Sequence, residues 1–315
     1  MSSSDPSVFL SLPDLLRLEH EAIGFSLLAR KQRVRSLLGG RHASKLRGRG
    51  LDFEEVRAYV QGDDIRNIDW KVTARTRQTH TRVYSEEKEK PALIIVDQSK
   101  SMFFGSSFKT KAAIAGELAA MAAFRVLKQG DRVGGVVLSD DAADVVYPKR
   151  DRRNILRFLE RIVDRNVALA ESEPGDFEGS LGKMLARINN LVTHDFLIIV
   201  ISDFHRYNPR VLQALQRMGR KNDVLVAKVM DPMERELPPL RFTAGSALHD
   251  ASPEVHQAVF NGQNRNLLES WRKEFDREMQ SFESDLKKHH IPFFTVSTAI
   301  PTVDQLAEIF KSRNS

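Results

Sequence analysis

With 315 residues, 48 Lys plus Arg against 42 Asp plus Glu and a formal charge of +6, the chain is long enough to bury a full core. It holds no cysteine, which excludes disulfides, thiolate metal sites and cysteine nucleophiles and fits a reducing compartment. Residues 1–5 show no basic head or apolar signal core, and the longest apolar run, 196–201, is far too short to span a bilayer, so a cytoplasmic protein without membrane insertion is expected.

The charge is unevenly placed. Residues 30–82 carry 14 Lys plus Arg against 6 Asp plus Glu, which leaves the remainder slightly acidic. Only Phe53, Tyr59 and Trp70 are available there for base stacking, so an acidic protein surface or internal salt bridging ranks ahead of nucleic acid as the reading of this basic segment.

In chain order, residues 8–38 space their apolar positions as one or two helices broken at Pro13 and Gly24, and 41–50 is a basic, glycine-rich loop. Phe53, Val56 and Val60 suggest a short amphipathic turn or helix over 52–59, followed by a turn at 61–64 and extended segments at 68–70 and 79–84. From Pro91 onward strands alternate with helices, the mark of a doubly wound, mostly parallel sheet. Strands are expected at 93–96, 132–138, 145–147, 196–201, 224–230 and 293–296. The strand at 145–147 follows its predecessor too closely for a crossover, so it must pair antiparallel. Helices are expected at 111–128, with Gly130 as cap, and at 152–164, 177–191, 209–218, 254–288 and 303–311. A proline-rich connection at 231–239 separates two of these elements.

The strand beginning at Pro91 runs straight into Asp97-Gln98-Ser99-Lys100-Ser101. If the chain stays extended, Asp97, Ser99 and Ser101 alternate onto one side and present three oxygens, a set suited to a hard cation such as Mg²⁺ with water completing the octahedron. The same residue types also serve an ordinary strand-to-helix turn. A second apolar strand ends in Ser202-Asp203, so Asp97 and Asp203 are expected to face one crevice at the carboxyl ends of central strands, where open α/β sheets bind ligands.

These residues resemble the metal-ion-dependent adhesion motif of von Willebrand factor A domains: Asp97, Ser99 and Ser101 match its first loop, and Asp203 stands where that family places a later acid. The threonine that such domains supply from a second loop has no counterpart in 171–180, where only Ser172 and Ser180 carry hydroxyls. Gly48-Arg49-Gly50-Leu51-Asp52-Phe53, Arg57-Ala58-Tyr59, Gly62-Asp63-Asp64-Ile65-Arg66-Asn67-Ile68-Asp69-Trp70, Thr73-Ala74-Arg75, Asp231-Pro232-Met233-Glu234 and Leu237-Pro238 closely resemble a bacterial family catalogued as domain of unknown function 58 (DUF58). Genes of that family commonly neighbour those of MoxR-type AAA+ ATPases. The resemblance implies a von Willebrand factor A-like fold over residues 80–315, preceded by a helical and basic segment over 1–79. It also implies an adaptor role with a MoxR-type ATPase as partner.

Within 57–77, Asp63, Asp64 and Asp69 lie among Arg57, Arg66, Lys71, Arg75 and Arg77, for which mutual ion pairing is the economical reading and a two-metal hydrolytic centre the competing one. No phosphate loop, nucleophile elbow or His-Glu-x-x-His pair is present. The expected function is therefore interaction rather than catalysis, with Mg²⁺ at Asp97, Ser99, Ser101 and Asp203 offering an open position to a partner's acid. The alternatives are a metal-dependent phosphohydrolase in the same crevice, or nucleic-acid binding through Arg41–Arg49 and Arg75–Arg82. No small-molecule substrate is indicated.

Overall fold

The computed structural model describes residues 8–22, 51–86, 90–140, 142–172, 177–190, 192–205, 207–236, 246–248, 258–260 and 265–311. The helix expected to continue through 23–38, the basic loop at 41–50 and the end of the proline-rich connection lie outside the described residues. The described residues form two compact units, 51–86 and the remainder. The boundary expected between residues 79 and 80 therefore falls inside the smaller unit, because among the described residues the strand that begins at His80 pairs with a strand of that unit.

The larger unit opens with α1 (Leu12–Glu21), capped by the Ser11 hydroxyl, which accepts the Asp14 N–H. Pro13 sits in the first turn and so starts this helix rather than breaking it. The smaller unit comprises β1 (Leu51–Ala58), a 3₁₀ turn at Ile65–Asn67, α2 (Trp70–Thr76) and β2 (His80–Glu86), with β1 and β2 antiparallel. The amphipathic helix expected over 52–59 is thus a strand: cross-strand pairing over the whole length of β1 overrides a spacing that looked helical. The extended segment expected at 68–70 also stops early. Ile68 bridges to Thr81, and Asp69 then caps α2, so Trp70 begins a helix.

The larger unit continues through β3 (Ala92–Asp97), α3 (Lys111–Lys128), β4 (Val133–Leu138), β5 (Ala143–Lys149), α4 (Arg152–Ala168), α5 (Phe177–Asn189) and β6 (Leu197–Ser202). It closes with α6 (Pro209–Gly219), β7 (Asp223–Met230), α7 (Pro232–Arg235), β8 (Ser246–Leu248), β9 (Ala258–Phe260), α8 (Arg265–Lys288), β10 (Phe293–Ser297) and α9 (Thr302–Lys311). β8 and β9 make a small antiparallel pair, so strand replaces the helix expected over 258–260. The main sheet has the order β10-β7-β6-β3-β4-β5, parallel throughout except for the antiparallel edge strand β5. This is the doubly wound, mostly parallel α/β class.

The sheet has helices on both faces because its central strands are apolar on both. Ala92, Ile94 and Val96 of β3, with Leu197, Ile199 and Ile201 of β6, join one buried cluster with residues of α1, α3, α4 and α9. Leu93 and Ile95, with Ile198 and Val200, join the other with residues of α5, α6 and α8. Strict alternation into two cores is the period of a strand buried on both sides. The alanines of α3 let that helix lie close on the sheet and on α1. Gly130 ends the helix region with φ +89°, a conformation glycine adopts without strain.

Gly135 in β4 shows how tightly the first face is filled. A Cβ there would stand 2.1 Å from the Phe158 ring of α4, whose side chain is fully buried. Gly135→Ala is expected to destabilise the fold by about 1–3 kcal/mol through overpacking, read as a lower urea midpoint at unchanged slope.

Candidate functional site

β3 and β6 are neighbours at the centre of the sheet, so their carboxyl ends share one crevice, with Asp97 closing β3 and Asp203 following β6. Asp97 is buried. Its Oδ1 accepts the Ser99 N–H at 3.0 Å and its Oδ2 accepts the Ser202 hydroxyl at 2.6 Å. The Ser99 and Ser101 hydroxyl oxygens lie 3.2 Å apart. Gln98, fully buried between Asp97 and Ser99 in sequence, donates from Nε2 to the Ala112 carbonyl at 2.9 Å and accepts from Asn166 at 3.2 Å. Asn166 in turn accepts the Leu10 N–H at 2.8 Å, so one polar chain ties the end of β3 to α3, α4 and the segment before α1. Lys100 completes the rim: its N–H donates to Asp140 at 2.7 Å and its ammonium to the Leu169 carbonyl at 2.7 Å.

Asp203 is engaged from three directions. Its Oδ1 accepts the His205 N–H at 2.8 Å, its Oδ2 accepts the Lys111 ammonium at 2.7 Å, and its carbonyl accepts from the Lys228 ammonium. The Lys111 ammonium also donates to Glu234 Oε1 at 2.5 Å. Glu234 is aimed at it by a capping box on α7, in which Asp231 accepts the Met233 N–H and Glu234 Oε2 accepts the Asp231 N–H at 3.0 Å. Asp231 is itself held by the Ser106 N–H at 2.8 Å and by the hydroxyls of Ser106 and Thr298, each at 2.5 Å. The Asp231-Pro232-Met233-Glu234 signature is thus a device for presenting one carboxylate to one buried ammonium.

The electrostatics follow from these contacts. Burial, reinforced by the Asp203 charge, pushes the Asp97 carboxyl up to about 7, against the pull of the Ser202 and Ser99 hydrogen bonds. Burial works on Asp203 in the same direction, but the Lys111 ammonium and the His205 N–H reverse it and hold that carboxyl at about 2. Lys111 keeps its proton because Asp203 and Glu234 together outweigh its burial, whereas burial lowers Lys228 despite the same two acids. Of two acids on adjacent strands, one is held charged by its lysine and the other titrates near neutrality.

The four residues expected to hold Mg²⁺, Asp97, Ser99, Ser101 and Asp203, therefore do lie at one end of the sheet, but the donor set does not fit the ion. Asp203 is committed to the Lys111 ammonium, whose charge opposes a second cation on the same carboxylate; Asp97 keeps a lone pair on each oxygen beside its bonds from Ser99 and Ser202. No three His, Asp or Glu side chains converge as a metal cluster among the described residues. The Ser172 hydroxyl donates to the Leu169 carbonyl at 3.1 Å, and the side chain of Ser180 lies outside the described residues.

The acids of the smaller unit do not gather either. Asp63 receives a two-pronged hydrogen bond from Arg57, with both N–O distances 2.8 Å, and also accepts the Val60 N–H. Asp64 caps the 3₁₀ turn through the Arg66 N–H. Asp69 caps α2 through the Lys71 and Val72 N–H groups and pairs with Arg82 at 2.9 Å. The hydrogen bonds from Arg57 and Arg82 hold Asp63 and Asp69 below the ordinary carboxylate range. Trp70 and Arg75 lie exposed on α2.

Sequence reasoning gave no site role to Gln98, Lys111, Lys228 or Glu234, although Glu234 stands in the family signature. Two of these carried a signal. A lysine at the first position of a buried helix opposes the helix dipole and needs acids to hold it, and Asp-x-x-Glu is a capping box.

Residues 55–282 match the family described as Protein of unknown function DUF58. The chain is 29% identical over 209 residues to the uncharacterised protein Rv1480 of Mycobacterium tuberculosis (strain ATCC 25618 / H37Rv), a match covering 66% of this chain and 64% of that one. Among solved structures, it is similar to the conserved hypothetical protein BatB of Bacteroides thetaiotaomicron, with 18% identity and a TM-score of 0.42 over 72% of this chain and all of that one. It is also similar to the SpRpn10 VWA domain, with 10% identity and a TM-score of 0.36 over 70% of this chain and 95% of that one.

The crevice predicts a pH signature. The fold holds the Asp97 proton more tightly than the unfolded chain, whose carboxyl titrates near 3.8, so the stability this confers is full below that value and is lost as pH rises through about 7. Asp203 works in the opposite sense: its contribution is present above 3.8 and is lost as pH falls toward about 2. In thermal unfolding, Asp97→Asn is expected to raise the midpoint at pH 8 and to flatten its decline between pH 4 and 7.

Proposed function

This chain belongs to the DUF58 family, and from that premise we propose that it is a non-catalytic interaction module that docks an acidic partner through the motif loop of its smaller unit. One observation carries the reading. The loop spends its acids on itself, Asp63 on Arg57, Asp64 on a turn and Asp69 on α2 and Arg82, while Val60, Ile65 and Trp70 remain 61%, 67% and 70% exposed. Arg66, Lys71, Arg75 and Arg77 are exposed in the same stretch and make no ion pair among the described residues. A braced loop that turns tryptophan and cations outward has the residue types in which interface energy concentrates, and its charge favours an acidic surface.

The resemblance of these motif residues to a family whose genes commonly neighbour those of MoxR-type AAA+ ATPases supports such an ATPase as the partner. The described residues contain no helix long and apolar enough to cross a membrane. In this reading the crevice of the larger unit braces the fold, and docking does not require a bridging Mg²⁺.

The test is biolayer interferometry of the full chain against the purified MoxR-type ATPase. Trp70→Ala is expected to weaken binding about tenfold or more, and Arg75→Ala to slow association in a salt-dependent way, with no effect of EDTA on the wild type. A folded Trp70→Ala chain that binds as tightly as wild type refutes this docking surface. Retention of duplex DNA on filters, falling steeply between two salt concentrations, would assign the exposed cations to nucleic acid instead.

A further inference from the structure

The crevice at the ends of β3 and β6 contains a cation of its own. We propose that Lys111 takes the place of a divalent ion there, neutralising Asp203 and Glu234 from within, so that the crevice is complete without Mg²⁺ and excludes it.

The placement of the lysine argues for this. Lys111 is the first residue of α3, where the helix dipole disfavours a positive charge, and its side chain is only 4% exposed. A charge buried in that position needs partners, and it has two: Asp203 at 2.7 Å from the end of β6 and Glu234 at 2.5 Å from α7. Neither acid reaches it by accident. Asp203 is steadied by the His205 N–H, and Glu234 by a capping box whose Asp231 is gripped by Ser106 and Thr298. Two elements far apart in sequence thus converge their carboxylates on the one ammonium of a third, as they would on a metal.

Asp97 accepts one hydrogen bond on each oxygen, from Ser99 and Ser202, and the Ser99 and Ser101 hydroxyl oxygens lie 3.2 Å apart, so what keeps an ion off these oxygens is the charge of the neighbouring ammonium. A divalent ion seated on these oxygens would share Asp203 with an ammonium already in hydrogen-bonding contact, and repulsion between cations a few ångströms apart in a desolvated site is severe. Lys228, on the Asp203 carbonyl, adds a second ammonium to the same neighbourhood. What the crevice offers a ligand is hydroxyl hydrogen bonding rather than a metal-bridged carboxylate. This inference is independent of the docking surface above, because it concerns the other unit and its test uses no partner.

The full-length chain is titrated with Mn²⁺ by electron paramagnetic resonance and with Mg²⁺ by calorimetry, as wild type, Lys111→Gln and Lys111→Gln/Asp97→Asn. The wild type is expected to show no saturable binding below about 1 mM. Lys111→Gln is expected to bind Mn²⁺ at least about tenfold more tightly than wild type, and the added Asp97→Asn to abolish that gain. If Lys111→Gln does not fold alone, it is refolded with and without Mg²⁺, and recovery only with the ion supports the substitution of one cation for the other. Stoichiometric wild-type binding below about 1 mM overturns the proposal, as does a folded Lys111→Gln that gains no affinity, or an unfolded one that Mg²⁺ does not recover.

Discussion

The larger unit depends on a buried ammonium shared by two carboxylates. Bringing Lys111 and Asp203 out of water is costly for both, and their contact, with the partly exposed Glu234 as second acid, offsets it, so the three elements that carry these groups are tied together. The requirement fixes the start of α3 against the end of β6 and sets α7 across both. It also explains why Asp97, one strand away, is left to two hydrogen-bond donors and a high pKa: the available positive charge has been spent on its neighbour.

The two units use acid and base in different ways. At the crevice of the larger unit the Lys111–Asp203 pair is buried, and each partner is needed to prevent an uncompensated charge. In the smaller unit the Arg57–Asp63 and Arg82–Asp69 pairs are partly in water, where such pairs contribute little to stability. Their role there is shape. Asp69 receives two helix N–H groups and a guanidinium at once, and Asp63 receives a guanidinium and a strand-end N–H, so a short irregular segment has one conformation and its apolar residues one outward presentation.

Much of this fold is written in residue periodicity. The apolar runs at β3 and β6 are too short for helices and are buried on both sides, and α3 begins at Lys111 and ends at Lys128 as its alanine pattern and Gly130 imply. Periodicity misled where only a distant partner decides the outcome. Phe53, Val56 and Val60 are spaced as on a helix, yet β2 draws the first two into a ladder that ends at Ala58; Trp70 follows an extended residue, yet the Asp69 carboxylate starts a helix at it. The site divides in the same way. Asp97 and Asp203 are legible because an acid ending an apolar run points to the open end of a sheet. Lys111 and Glu234 have no mark of mutual contact, since 123 residues separate them and only the folded sheet brings them together.

The central place of β3 in the sheet has a consequence for the order in which the molecule is made. β3, α3, β4 and β5 are contiguous in the chain, but β3 also needs β6 at its other edge, and Lys111 finds both of its acids more than 90 residues later. A nascent chain that has emerged only as far as α5 therefore exposes one flank of a highly apolar strand beside a helix whose first residue is an uncompensated cation. During that interval the half-built sheet has an open edge suited to unintended pairing, and a charged lysine at the start of α3 favours water there until its acids arrive.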